Sequence, residues 1–435
     1  MLKLSSSAPL KGEILIPGDK SISHRAVILG SIAKGDTRVH GFLDSADCRS
    51  TIDCFRRLGI STESVDGDPH ELIVHGRGMH GLCPALPYVE DSHVTLYTGN
   101  SGTTTRLMAG ILAPQSFASQ IGGDASVNSR PMKRVMEPLR MMGAQIESVQ
   151  GNNCAPLLIN GSSLHGMSYA TPVASAQVKS AILLAGLYAS DAVTVTEPSK
   201  SRDHSERMLT AFGADVRASG NTVVIRPADE LYASEIHVPG DISSAAFFIA
   251  AALITPGSEV LIRNVGTNKT RDGILRVAKA MGADIEYVSS ADAAEPYADL
   301  LVRYSHLKGT VIEKDLIPAL IDELPVIAVM GAAAEGTTII RDAAELRVKE
   351  SDRIAAMAEG LAAMGADVTT GPDSMTIRGG APLHGSLIRT FSDHRIAMSF
   401  AVASLIASGD TVLDDERCVD ISYPAFFGDL AALQR

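Results

Sequence analysis

Polar and apolar positions along this chain fall into one order that recurs six times. A short polar cluster comes first, then an Ala-rich apolar run, then in most copies a Gly-marked turn and a β-branched stretch. The clusters are Ser21-Ile22-Ser23-His24-Arg25, Asn100-Ser101-Gly102-Thr103, Ser175-Ala176-Gln177, Asp241-Ile242-Ser243-Ser244, Asp322-Glu323 and Ser392-Asp393-His394-Arg395. Apolar runs such as 26–33, 181–189, 245–254 and 396–406 follow them. The pattern predicts a helix beginning at each cluster and a strand at turns such as Gly257-Ser258-Glu259-Val260 and Gly409-Asp410-Thr411-Val412. A period of roughly 70 residues means one supersecondary unit copied several times. Helix N-termini carry unpaired N–H groups and partial positive charge, so several aimed at one spot would hold an anion.

A second periodicity runs through the same units. Leu58-Gly59-Ile60, Met142-Gly143-Ala144, Phe212-Gly213-Ala214, Met281-Gly282-Ala283 and Met364-Gly365-Ala366 each close an amphipathic stretch and precede a β-like one. Glycine there predicts a left-handed helix end. Lys200-Ser201-Arg202-Asp203 and Lys269-Thr270-Arg271-Asp272 stand at the same distance before Gly213 and Gly282, which marks two copies of one segment. Variable gaps and chemically different clusters argue against a simple solenoid and for a closed or domed arrangement around a site. Ile16-Pro17-Gly18-Asp19 and Val238-Pro239-Gly240-Asp241 resemble each other and read as boundaries. The expected division is a discontinuous domain of residues 1–19 plus 240–435 and an inserted domain of 20–239, with three α/β units in each.

Bulk properties narrow the function. The 435 residues are 45% hydrophobic with 4% aromatics and no Trp, enough for two full cores built on small side chains. A net charge of −12 argues against nucleic acid or an anionic membrane as partner, so any anionic ligand needs a local basic site. Five scattered cysteines without a Cys-x-x-Cys pair fit reduced thiols. Neither a signal nor a transit pattern opens the chain, and the expectation is a cytoplasmic protein. The 12 His residues show no zinc motif, so no metal is expected.

The candidate chemistry is cationic. Lys20, Ser21 and Arg25 fall within one turn of a predicted helix start, in a segment that lacks Walker-type spacing. Gly99-Asn100-Ser101-Gly102-Thr103 with Arg106 permits close backbone approach to a ligand, and Ser129-Arg130-Pro131 adds an arginine before a Pro suited to a helix start. Lys349 and Arg353 are four apart, which on one helix would place them on a shared face with Glu350 beside Arg353. Asp322 precedes the apolar run 324–334 and reads either as an N-cap or as a partly desolvated base. Ser392-Asp393-His394 is no nucleophilic triad, because adjacent residues of a helix point in different directions.

Seven motifs taken in order resemble the enolpyruvyl transferase family over essentially the whole chain. They are Gly18-Asp19-Lys20-Ser21-Ile22-Ser23-His24-Arg25, Gly99-Asn100-Ser101-Gly102-Thr103, Gly123-Asp124-Ala125-Ser126 with Arg130-Pro131-Met132, Ser175-Ala176-Gln177, Ser201-Arg202-Asp203-His204, Val348-Lys349-Glu350-Ser351-Asp352-Arg353 and Asp393-His394-Arg395. The resemblance implies an α/β fold of two domed domains, each of three βαβαββ units, in an inside-out α/β barrel arrangement. It is specifically to the branch that moves the enolpyruvyl group of phosphoenolpyruvate onto the 5-hydroxyl of shikimate 3-phosphate. That implies an enzyme without cofactor, a monomer, in aromatic amino-acid biosynthesis. By the same resemblance shikimate 3-phosphate is expected at Lys20, Ser21, Arg25, Ser175, Ala176, Gln177, Arg202, Asp322 and Lys349. Phosphoenolpyruvate is expected at Lys20, Asn100, Gly102, Arg130, Gln177, Arg353, His394 and Arg395. Asp322, Glu350 and Lys20 are the expected catalytic groups. Ile421 stands where many members carry a Lys, which shifts proton handling toward Lys20 and Glu350.

Two alternatives remain at this level. The sister transferase of UDP-N-acetylglucosamine uses a loop Cys and an Asn after its first Lys, whereas here Ser21 follows Lys20 and the loop 116–130 has no Cys. A non-catalytic repeat scaffold would not need Arg and Lys gathered at helix starts.

Overall fold

The computed structural model describes residues 1–6, 8–90, 92–291 and 294–434. The chain divides into two compact units, Met1–Pro17 with Pro239–Arg435 and Gly18–Val238. All six polar clusters begin helices: Lys20–Ile32, Gly102–Leu112, Ala176–Gly186, Ile242–Ile254, Leu324–Ala333 and His394–Ser404. The cap side chains of Asp19, Ser101, Ser175, Asp241 and Asp393 accept backbone N–H groups of the first turns. These helices are buried on nearly every face; all 13 residues of Ile242–Ile254 are buried. Ala and Gly make that possible. A Cβ on Gly110 would lie 2.2 Å from the carbonyl oxygen of Ala181, so only glycine lets the helices Gly102–Leu112 and Ala176–Gly186 approach so closely.

The second helix of each unit is amphipathic. Five of them end at Gly59, Gly143, Gly213, Gly282 and Gly365, all with positive φ between 84° and 102°. These are the left-handed helix ends that the second periodicity predicts.

Six sheets follow one plan. A parallel pair is continued on one side by two antiparallel strands, or by one in the shortest sheet, and among the described residues the sheet of His93–Tyr97 adds a further antiparallel strand, Val89–Glu90, at its other edge. In Gly18–Val238 the sheets run Glu235–His237, Lys34–His40, Asp68–Arg77, Ser61–Val65; then Val89–Glu90, His93–Tyr97, Ala118–Gly122, Leu157–Asn160, Gln145–Ser148; then Ser168–Ala170, Val193–Thr196, Thr222–Ile225, Val216–Ser219. The other unit repeats the plan, its last sheet completed by the N-terminal strand Leu2–Ser5 antiparallel to Asp410–Leu413. The α/β repeat architecture read from the sequence is therefore the one observed.

The two crossings have a simple topological cause. Lys11–Leu15 is the parallel edge strand beside Glu259–Gly266, yet the chain leaves it for the helix Lys20–Ile32 of the other unit. Glu235–His237 is the parallel edge strand beside Lys34–His40, and the chain leaves it for Ile242–Ile254. Two equivalent strand-to-helix connections have been exchanged, which accounts for the repeated Pro-Gly-Asp at both places. Among the described residues no helix is long and apolar enough to cross a membrane. All five cysteines are free.

Candidate active site

In Gly18–Val238 three helix starts carry the expected groups. Asp19 caps the helix Lys20–Ile32, and Lys20 Nζ lies 3.3 Å from Asp47. Arg25 is 5% exposed and held in a fixed fork: Nε donates to Ser205 Oγ at 2.7 Å, one Nη to Ser180 Oγ at 2.7 Å, the other to the carbonyl of Ser21 at 2.9 Å. A guanidinium clamped through several of its donors loses little further freedom when it meets an anion.

The second helix start is organised around Gly102. A Cβ there would come within 2.8 Å of Arg106 Nη1 and 3.1 Å of Arg130 Nη1, so two guanidiniums converge on the bare backbone. Arg130 donates to Asn100 Oδ1 at 3.0 Å and to Ser126 Oγ at 3.1 Å, while Asn100 donates to Asp124 at 2.8 Å. Arg106 donates to Gln177 Oε1 at 2.8 Å, and Gln177 donates in turn to Thr103 Oγ1 at 2.9 Å. This ties the Gly102 helix to the Ala176 helix. A buried relay also ties the first start to the second: His24 Nδ1 to Thr51, Thr51 to Thr104 and Thr104 to Ser101, each contact at 2.7 Å. Burial first, with Lys20 and Arg25 adding to it against an opposing Asp47, lowers the His24 pKa to about 3. It is a neutral structural imidazole.

Ser175 caps the third helix, with Ala176 as its first residue. Glu197, absent from the sequence-derived set, holds this region together. It accepts from Ser175 N at 3.2 Å, Ser201 N at 3.3 Å and Ser201 Oγ at 2.9 Å, and it pairs with the fully buried Lys179 at 2.8 Å. Glu206 is the second partner of Lys179, also at 2.8 Å. Arg202, half-buried, follows directly on the anchored Ser201.

In the other unit the expected residues form one ionic cluster. Asp322 receives Lys349 Nζ at 3.4 Å and Arg353 Nη1 at 3.4 Å, and Arg395 Nη1 donates to its carbonyl at 3.3 Å. Arg353 is 1% exposed and also reaches Glu350 at 2.6 Å and Asp393 at 2.8 Å. Burial opposes its charge, but Glu350, Asp393 and Asp322 outweigh that and push its pKa upward. Burial likewise opposes the charge of Asp393, and the Arg353 guanidinium overcomes it, so that pKa is lowered. Ser351 donates to Asp393 at 2.9 Å, and Asp393 caps the helix His394–Ser404, whose first residue His394 is buried.

Three local expectations need correction. Lys349 and Arg353 do not share a helix: a 3-10 turn, Ala344–Val348, ends at Lys349, and a new helix starts at Arg353 with Asp352 as cap. They meet at Asp322 because the chain breaks between them. Asp322 is not an N-cap, since Glu323 holds that position before Leu324–Ala333. Pro131 opens no helix; it pairs in a β-bridge with Cys154, and the next helix begins at Lys133. Asp47 and Glu197 escaped the sequence reading because a single acid, as in Ala46-Asp47-Cys48 or Thr196-Glu197-Pro198, carries no spacing signal. Arg106 lay in a motif already visible.

Comparison with known proteins adds an independent line. The family model described as EPSP synthase (3-phosphoshikimate 1-carboxyvinyltransferase) matches residues 4–430. A 3-phosphoshikimate 1-carboxyvinyltransferase of Pelobacter propionicus is 52% identical over 427 residues, 98% of this chain and 97% of that protein. Its counterpart in Desulforudis audaxviator is 52% identical over 434 residues, 100% of this chain and 99% of that one. Among solved structures, an EPSP synthase from Acinetobacter baumannii superimposes with a TM-score of 0.88 at 44% identity, covering 99% and 98% of the two chains.

Proposed function

The chain belongs to the EPSP synthase (3-phosphoshikimate 1-carboxyvinyltransferase) family, and from that premise we propose how its residues divide the work. The activity is transfer of the enolpyruvyl group of phosphoenolpyruvate to the 5-hydroxyl of shikimate 3-phosphate, with release of phosphate, in the shikimate pathway. Both substrates are polyanions. The observation that carries the assignment of roles is the cluster in which Lys349, Arg353 and Arg395 surround Asp322 while Arg353 also holds Glu350.

Addition requires the 5-hydroxyl to lose a proton and the methylene carbon of phosphoenolpyruvate to gain one. Elimination from the tetrahedral intermediate then removes a proton from the new methyl group as phosphate leaves. Asp322 serves as base at the hydroxyl, its carboxylate oriented by Lys349 and Arg353. Glu350, oriented by the same guanidinium, serves the methylene carbon, and Lys20 stabilises charge on the departing phosphate. Shikimate 3-phosphate is bound by Ser21, Arg25, Ser175, Ala176, Gln177, Arg202 and Lys349. Phosphoenolpyruvate is bound by Asn100, Gly102, Arg130, Gln177, Arg353, His394 and Arg395. The groups assigned these roles come from both units of the chain. The enzyme acts as a monomer in the cytoplasm.

The test is phosphate release from phosphoenolpyruvate with shikimate 3-phosphate and with UDP-N-acetylglucosamine in parallel. Release with the first alone is expected, and none with the first overturns the reading. Asp322→Asn is expected to lower kcat by about 10²–10⁴ while shikimate 3-phosphate still binds. Turnover near wild type would remove Asp322 from its role.

A further inference from the structure

On the solvent face of the sheet that begins with Glu235–His237, four side chains meet that the transfer reaction does not use. His40 and His237 are register partners on parallel strands, and their rings stack with centroids 4.6 Å apart and planes 14° off parallel. His40 Nε2 lies 2.8 Å from Glu235 Oε1, and its Nδ1 lies 2.6 Å from Glu71 Oε2 on the opposite neighbouring strand. We propose that His40, His237 and Glu235 form a binding site for a divalent transition ion of zinc's class, with Glu71 as the outer partner of His40.

The donor set carries the choice of ion. Two imidazoles and one carboxylate make the nitrogen- and oxygen-rich three-point set that zinc accepts, with a fourth position left for water. Magnesium and calcium prefer all-oxygen shells, so this set selects against them. One ligand atom from each of the three residues lies within 4.8 Å of the others. A tetrahedral ion with bonds of about 2.0–2.1 Å draws such atoms to roughly 3.4 Å apart, which side-chain rotation can supply on fixed backbones. Glu71 adds what a chance pair of surface histidines lacks. Accepting Nδ1–H, it would hold the tautomer that turns the Nε2 lone pair to an incoming ion, which displaces the contact Nε2 makes with Glu235, the arrangement found behind metal-ligating histidines. His237 and Glu235 are exposed and His40 is half-buried, so an ion can enter without unfolding the sheet. A bound ion would clamp the edge strand Glu235–His237 to its neighbour just before the chain crosses into the other unit.

The test uses metal-free full-length protein carrying Cys83→Ser and Cys154→Ser, which removes the two cysteines that are not buried. Titration calorimetry with zinc chloride is expected to find one ion per chain, and magnesium chloride none over the same range. His40→Ala and His237→Ala should each abolish that binding, and Glu71→Gln should weaken it about 10- to 100-fold. Absence of zinc binding by the thiol-substituted protein overturns the proposal. So does one-per-chain binding that survives His40→Ala or His237→Ala. Unchanged affinity in Glu71→Gln overturns the role given to Glu71. His237 is exposed, so its variant is expected to melt as the parent does, which circular dichroism without metal checks.

Discussion

Lys200-Ser201-Arg202-Asp203 and Lys269-Thr270-Arg271-Asp272 are two castings of one segment, one in each unit, and they agree in the ion pairs of their Asp, although Ser201 is anchored on Glu197 and Thr270 on Asn268. Each Asp stands at the start of a helix. Asp203 pairs with Lys200 at 3.7 Å and Arg207 at 3.1 Å; Asp272 pairs with Lys269 at 3.4 Å and Arg276 at 2.8 Å. The third residue separates them. Arg271 is 3% exposed and turned inward, donating to Asp241 at 3.2 Å and Ser243 Oγ at 2.8 Å, with Glu323 at 4.0 Å; Ser243 also donates to Glu323. Arg202 is half-buried on a loop that Glu197 pins through Ser201. A motif therefore specifies its own helix start, and the neighbours decide whether its arginine is drawn into the core or left half-buried.

The largest effect should come from removing the inward arginine. Arg271→Ala leaves Asp241 and Glu323 buried beside a lost cation and should destabilise its unit by about 3–5 kcal/mol, read by urea unfolding. A loss below 1 kcal/mol would put Arg271 in the same class as Arg202. Arg202→Ala should do the converse, raising KM for shikimate 3-phosphate about 10- to 100-fold with the unfolding midpoint little changed. A large drop in stability with normal KM would reverse the comparison. Glu197→Gln should raise the same KM by about tenfold, because an amide cannot accept from both Ser175 and Ser201 as the carboxylate does. Steady-state kinetics with phosphoenolpyruvate saturating separates this from a change in turnover. Smallest of all, Asp203→Ala and Asp272→Ala should each cost about 1 kcal/mol, nearly equally. Clearly unequal losses would mean that the two castings differ locally as well.

Much of the architecture was legible because its signals are local. Ser, Asp and Asn before apolar runs mark helix starts through cap hydrogen bonds, and all six clusters begin helices. Five glycines in sequence-equivalent places mark five left-handed helix ends. The ionic cluster around Asp322 was legible only as ingredients. Its spacing suggested one helix carrying both Lys349 and Arg353, but the chain takes a 3-10 turn, breaks and restarts. Glu197 was illegible, since of its partner residues Ser175, Lys179 and Ser201 the first two belong to another helix start, and nothing in its own neighbourhood announces them.

By itself, then, the sequence determined the repeat, the helix starts and ends, the α/β plan of each unit and the family. The helix starts and ends depend on hydrogen bonds and periodicities within a few residues of one another, and the repeat and the family on recurrences of such local patterns along the chain. Tertiary structure decided which charges distant in the chain neutralise each other, local pairs such as Glu350 with Arg353 being already marked by spacing. Arg353 adds Asp322 and Asp393, from two distant stretches, to its neighbour Glu350, and Arg271 is drawn into the core while Arg202 is not. The physical reason is that an ion pair is set by distance and burial in space. Chain separation enters neither, so electrostatic partners stay hidden until the fold brings them together.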